Sequence, residues 1–139
     1  MRFWDSSALL PLIVDEPRTA DVRALAGSDP EQSVWCLTEV EIASALARRS
    51  RETIEEKEAE AAWSELGFLS ARWSTIEAIE QVRARATRLV RTHPLRAGDA
   101  LQLGAALVAC DERPETLPFV CLDDRLRDAA RREGFPVLP

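Results

Sequence analysis

Five short apolar runs punctuate the chain: RFW after Met1, SVWCL from Ser33, RWSTI from Arg72, LPFVCL from Leu117 and FPVL from Phe135. The stretch between the first four runs is each time too long for a hairpin loop, and its apolar residues recur at helical spacing. Such alternation predicts parallel strands joined by helical crossovers, because a parallel pair cannot be closed by a tight turn. The fold expected is α/β, three layers thick, with a mainly parallel central sheet flanked by helices. A chain of 139 residues fits one such domain over residues 1–139, with enough core to need no disulfide or metal staple.

The intervening segments predict seven helices. SALLPLIV forms the first and is closed by Asp15, Glu16 and Pro17; residues from Thr19 to Ala26 form the second, ending at Gly27. A third runs from Thr38 to Arg49, and a fourth from Glu52 to Ala71 with Ile54, Trp63, Leu66 and Leu69 on its apolar side. The fifth, from Glu77 to Thr92, repeats apolar residues at Ile79, Val82, Ala86 and Leu89. DALQLGAALVAC is apolar on nearly every face, so it is expected in the middle of the domain, with Gly104 permitting close packing. DDRLRDAARRE supplies the last helix.

Composition narrows the chemistry. A net charge of -6 argues against a domain that holds nucleic acid by bulk electrostatics, although it leaves a nuclease open. Lys57 is the only lysine, and arginine, the better bidentate partner for phosphate, supplies every other cation; source-wide composition accounts for most of that bias. Cys36, Cys110 and Cys121 are odd in number, form no CxxC pair and read as reduced core residues. No apolar run approaches the roughly 20 residues of a membrane span, and MRFWDSS lacks a secretory profile. The expectation is a soluble cytoplasmic protein. His93, the only histidine, precedes Pro94 and is expected in a surface turn, which leaves no histidine pair for zinc and no His-based general base. Trp4, Trp35, Trp63 and Trp73 are expected to pack in the core or a dimer contact rather than stack on bases.

Four acids stand where the chain enters a helix: Asp5 in RFWDSSALL, Glu41 in TEVEIASAL, Asp99 in RAGDALQLGAAL and Asp123 in FVCLDDRL. Each has an ordinary structural use. Asp5, Asp99 and Asp123 suit N-caps, and Thr38 with Glu41 matches a capping box. Together they suit something else, because Asp5 and Asp123 both follow strands, and ligands of open parallel sheets bind at the carboxyl ends of strands near a topological switch point. Clustered carboxylates repel one another, and a divalent cation relieves that repulsion. Oxygen ligands favour magnesium or manganese, ions that activate water against phosphate esters. Spacing leaves Glu39 competing with Glu41 and Asp124 competing with Asp123; the E-x-x-x-A-L and D-x-x-L contexts favour Glu41 and Asp123.

With D-S-S-A-L, E-I-A-S-A-L, R-A-G-D-A-L-Q-L-G-A-A-L and L-D-D-R-L-R-D-A-A-R-R-E-G-F-P-V-L in this order, almost the whole chain resembles the PIN-domain ribonucleases, and within them VapC-like toxins. The resemblance implies that Asp5, Glu41, Asp99 and Asp123 are the acidic quartet that holds one or two Mg2+ or Mn2+ ions and directs water at an RNA phosphodiester. It also implies a cognate antitoxin and a homodimer, with no membrane partner. Ser6 and Ser7 stand where many relatives have Thr or Asn after the first aspartate, and the Ser7 hydroxyl can serve the site; Cys121 replaces a frequent Thr and is a weaker donor; Gln102 replaces a frequent His. Arg96 and Arg125 are expected to grip flanking phosphates, Asp124 to support the site or face solvent, and the Leu9–Val14 and Ile54–Leu69 segments to wall an antitoxin groove. The competing reading keeps the fold as a non-catalytic interaction module whose acids dock a partner's arginines. A phospho-accepting receiver domain fits poorly, since no acidic pair follows the first strand and no lysine follows Asp124.

Overall fold

The apolar runs do form one sheet in the computed structural model, which describes residues Met1–Pro139. Its strands are β1 (Arg2–Trp4), β2 (Gln32–Trp35), β3 (Ser74–Ile76), β4 (Phe119–Val120) and β5 (Val137–Leu138). They lie in the order β3-β2-β1-β4-β5, and every pairing is parallel. The helices are α1 (Ser6–Ile13), α2 (Thr19–Gly27), α3 (Thr38–Glu52), α4 (Glu56–Ser70), α5 (Ile79–Thr92), α6 (Ala97–Ala109) and α7 (Asp124–Glu133), with one 3₁₀ turn at Pro114–Thr116. None is long and apolar enough to cross a membrane.

Strand pleating assigns neighbouring residues to opposite layers. Phe3, Trp35 and Phe119 pack with Val82, Leu89, Leu103 and Leu126 from α5, α6 and α7. Their neighbours Trp4, Val34 and Val120 pack with Leu9, Val22, Ile42, Leu46 and Leu66 from α1 to α4. Both faces are therefore covered, which explains why the strands read as continuous rather than alternating apolar runs. Each fully buried large side chain contributes roughly 1.5–3 kcal/mol of transfer free energy. Phe3 and Phe119, paired in register across β1 and β4, stack with centroids 5.4 Å apart.

The chain builds outward from β1 through β2 to β3, then recrosses the sheet through α5 and α6 to lay β4 on the other side of β1. That recrossing needs α5 and α6 to lie close. Gly104 makes it possible: a Cβ there would come within 3.0 Å of the Val82 carbonyl oxygen and 3.2 Å of the Ala86 nitrogen.

Several expectations need correction. SVWCL is strand only as far as Trp35; Cys36 and Leu37 form the turn into α3. Helix α4 starts after Ile54 and buries Ala59, Ala62 and Leu66, while Trp63 is 41% exposed. Trp63 follows Ala62 by one residue and so lies about 100° round the axis, off the face that Ala59, Ala62 and Leu66 share. Ile79 opens α5 and is likewise exposed, the buried stripe beginning at Val82. His93 does lie in the bend that follows α5, but its side chain turns in from the surface, 8% exposed, with Nε2 2.7 Å from Glu133 Oε1. The other Glu133 oxygen accepts from Arg88 at 2.7 Å, so one carboxylate ties the end of α5 to the end of α7. The Arg88 hydrogen bond, helped by His93, holds the Glu133 carboxyl below its ordinary range. The three cysteines are free, Cys110 and Cys121 buried and Cys36 partly so.

Candidate active site

The strand order reverses direction between β1 and β4, and the chain leaves both strands at the same edge of the sheet. Asp5 follows β1 directly, and its backbone N–H donates to the Val120 carbonyl of β4 at 3.0 Å. It is the N-cap of α1: Oδ2 accepts from the Ser7 backbone at 3.0 Å and from the Ser7 hydroxyl. Ser7 Oγ in turn accepts from the Leu122 N–H at 3.0 Å, joining the first loop to the one after β4. In that second loop Asp123 caps α7, Oδ1 accepting from Leu126 N–H at 2.9 Å. Asp99 lies in the first turn of α6 and Glu41 in the first turn of α3.

Four helix N-termini thus bring Asp5, Glu41, Asp99 and Asp123 to one hollow of about 150 Å3, also lined by Ser6, Ser7, Leu10, Ile42 and Ala45. The partial positive charge of each terminus favours ionised carboxyls, but burial opposes it. Desolvation pushes the Asp5 carboxyl up, and the Asp99 charge adds to the push. Glu41 is raised for the same first reason, then by Asp5 and Asp99. Asp99 is raised by burial and then by Asp123, with the Arg96 and Arg125 charges partly countering. The hollow is therefore a place where anionic oxygens accumulate against their own electrostatics, which suits a hard cation. No three of these side chains converge closely enough, as they stand, to close round one ion. Donor type and charge fit a divalent metal, which Asp5, Glu41, Asp99 and Asp123 would hold.

The alternatives left by spacing separate clearly. Glu39 is exposed and accepts from Ser70 Oγ at 3.1 Å on α4, away from the hollow. Asp124 is exposed and does not line it. The expected capping box is absent: Leu37 is the N-cap of α3, and no side-chain bond caps it. Asp99 is no N-cap either, since Arg96 holds that position. Arg96 and Arg125 are exposed and do not line the hollow, though their charges act on Asp99. Cys121 is buried beneath the site with Sγ 3.6 Å from Asp5 Oδ2, and burial pushes its thiol well up, so it stays protonated.

Three further residues brace the site; the family resemblance marks the positions of Ser6 and Gln102 without giving either a role, and Arg127 carries no signal. Ser6 Oγ donates to Glu41 Oε2 at 2.9 Å. Gln102 Nε2 donates to the same oxygen at 3.2 Å and to Thr38 Oγ1 at 3.0 Å. One signal was available for Gln102: a lone amide in an otherwise apolar helix must find buried partners. Arg127 also braces the second loop, donating to the Cys121 carbonyl at 2.6 Å.

The end of α1 and the first half of α4 face a separate hollow of about 650 Å3, lined by apolar residues including Leu12, Val14 and Ile54 and by the charged Asp15, Arg23, Arg49, Glu58 and Glu65. A second hollow of about 470 Å3 shares Leu12, Arg23 and Glu65 with it and extends to Leu69 and Arg72.

The chain is similar to two solved structures. One is a toxin-antitoxin complex from Klebsiella pneumoniae, at 16% identity over 100% of this chain and 97% of that one, with a TM-score of 0.64. The other is VapC20 of Mycobacterium tuberculosis, a Sarcin-Ricin loop cleaving toxin, at 20% identity over 100% of both chains, with a TM-score of 0.66. At these identities the likeness is one of fold. No curated protein sequence matches the chain. The PIN domain family model matches residues 2–132, nearly the full length, and the chain belongs to the PIN domain family.

Proposed function

We propose that this protein is a metal-dependent endoribonuclease, the toxin of a toxin–antitoxin pair, working in the cytoplasm. The observation that carries the reading is the hollow at the β1/β4 switch point, where four acids from four helix starts meet and three have their carboxyls pushed up by burial and by one another. Asp5, Glu41, Asp99 and Asp123 would hold Mg2+ or Mn2+. A bound ion would supply charge neutralisation at the phosphate and a more acidic water. Ser7 keeps Asp5 oriented, and Arg96 and Arg125 grip phosphates flanking the cut. Arginine suits that task, since its fork matches two phosphate oxygens.

An amphipathic antitoxin segment would lie in the paired hollows between α1, α2 and α4, apolar residues against Leu12, Val14 and Ile54, polar ones against Arg23 and Glu65. The solved toxin-antitoxin complex of the same fold supports that partner. A second copy of the chain would cover exposed apolar side chains such as Ile79 and Val90 on α5.

The test is incubation of purified protein with total RNA, with Mg2+, Mn2+ or chelator, followed by mapping of new ends. Metal-dependent cuts absent from an Asp99→Asn protein support the reading. The competing interaction module draws on the carboxylates' failure to converge round one point; intact RNA under every condition, together with tight binding of an arginine-bearing peptide, would establish it instead.

A further inference from the structure

Gln102 is the only uncharged amide side chain that is wholly buried in this protein, with 0% exposure. It points from the apolar helix α6 across to α3, 64 residues away in sequence from Thr38 and 61 from Glu41. Its two N–H donors are both used, one on Thr38 Oγ1 at 3.0 Å and the other on Glu41 Oε2 at 3.2 Å. The amide orientation is chemically forced while Glu41 is ionised, because a carboxylate can only accept and the amide oxygen would repel it. Ser6 Oγ donates to the same Oε2 at 2.9 Å. Both donors therefore fall on one carboxylate oxygen, and no hydrogen bond is made to the other. Oε1 lies against the first turn of α6, 3.9 Å from where a Gly98 Cβ would stand.

We infer that Gln102, with Ser6, is a positioning residue that fixes Oε2 of Glu41 and presents Oε1 alone to the metal and substrate. The inference rests on the nuclease reading of the site and adds a means of orienting Glu41 that no acid of the quartet provides. A neutral amide suits this place: it donates to the carboxylate without adding a charge that would compete with the cation. Thr38 holds the amide from behind, through the bond at 3.0 Å, and so acts one step further out.

The test uses Gln102→Met, which keeps the length and volume and loses the donors, beside Gln102→His, whose ring N–H can restore one. Mn2+ affinity is measured by calorimetry without RNA, RNA binding with chelator present, and cleavage rates over a range of Mn2+ and RNA concentrations. Outer partners of metal ligands typically account for about 10–100-fold in affinity or activity. Gln102→Met should weaken Mn2+ binding by that factor and lower kcat, with KM for RNA and metal-free RNA binding unchanged, and Gln102→His should recover part of both. A purely structural role would instead lower the melting temperature and leave Mn2+ affinity and kcat together intact in the folded fraction. A folded Gln102→Met protein with parental Mn2+ affinity and kcat overturns the inference while leaving the nuclease reading standing. A parent protein that neither binds Mn2+ nor cleaves RNA overturns both.

Discussion

Asp123 tests whether the acids serve chemistry or merely cap helices, because at this position the two uses can be separated by two substitutions. Its Oδ1 accepts from Leu126 N–H at 2.9 Å and caps α7. Asparagine caps about as well as aspartate, whereas alanine loses roughly 1 kcal/mol. An unfolding entropy of about 2.1 cal/mol/K per residue over 139 residues makes that loss worth a fall of about 3 °C in melting temperature. Asp123→Asn also loses the attraction of the helix dipole, about 0.3–1 kcal/mol, but it relieves the repulsion Asp123 exerts on Asp99. The two changes oppose, so its melting temperature should stay within about 2 °C of the parent's. Cleavage should behave differently. A metal ligand whose charge is removed forfeits several kcal/mol of transition-state stabilisation, hence about a hundredfold or more in rate. Both variants should therefore be almost inactive in Mn2+, while only Asp123→Ala melts early. Thermal melts and initial cleavage rates on the same preparations decide it. An Asp123→Asn protein within threefold of parental activity, or activities that follow the melting temperatures, would refute the assignment and leave Asp123 a cap.

Three further outcomes can be checked. In chelator, Glu41 has its folded carboxyl raised above the ordinary 4.5, so its contribution favours folding fully below that value and is lost as pH rises through the raised one. The melting temperature of Glu41→Gln should therefore climb relative to the parent's from pH 4 towards neutral, and parallel curves would contradict the shift. Mg2+ or Mn2+ should raise the parent's melting temperature in proportion to the logarithm of the ion's concentration above Kd, the added stability reaching about 2.7 kcal/mol at a hundredfold excess over Kd; a flat titration with both ions would count against the metal site. Arg96→Ala should weaken RNA binding and reduce the salt slope by about 0.7 with Mn2+ affinity unchanged, and an unaltered slope would remove Arg96 from the phosphate grip.

Much of this arrangement can be read in the sequence because the relevant signals are local. Phe3 and Trp4, or Val34 and Trp35, are apolar neighbours on opposite sheet faces, so their strands are recognisable as doubly covered. The acids too are local signals, each at the start of a helix. Helix faces fail where composition misleads: Trp63 is the largest apolar residue of α4, yet the smaller Ala59 and Ala62 are the ones that pack. Glu39 and Glu41 share a first turn, and only the position of α4, which supplies Ser70, shows which one turns away. His93 and Glu133 lie 40 residues apart, and no local pattern links them. What Ser6 and Gln102 bond to stays hidden for the same reason. Their bonds to Glu41 span 35 and 61 residues, and they exist only once α1, α3 and α6 have been packed together.

The topology itself explains how a protein of net charge -6 can present a site for a polyanion. Laying β4 beside β1 after β3 has been placed on the far side sends two loops to one sheet edge, and α3 and α6 begin at the same edge. Four N-termini therefore converge whatever residues they carry, and their partial positive charge would by itself bind an anion. Acids at those four starts invert the sign of the hollow and would favour a cation there, at the expense of raised carboxyls in Asp5, Glu41 and Asp99. A bound cation would restore the attraction for phosphate that the bare helix ends would have had, but only where the metal stood. On the proposed function, RNA recognition would thereby be confined to the hollow and to arginines such as Arg96 and Arg125 beside it, while the remainder of the acidic surface would repel nucleic acid not seated for cleavage.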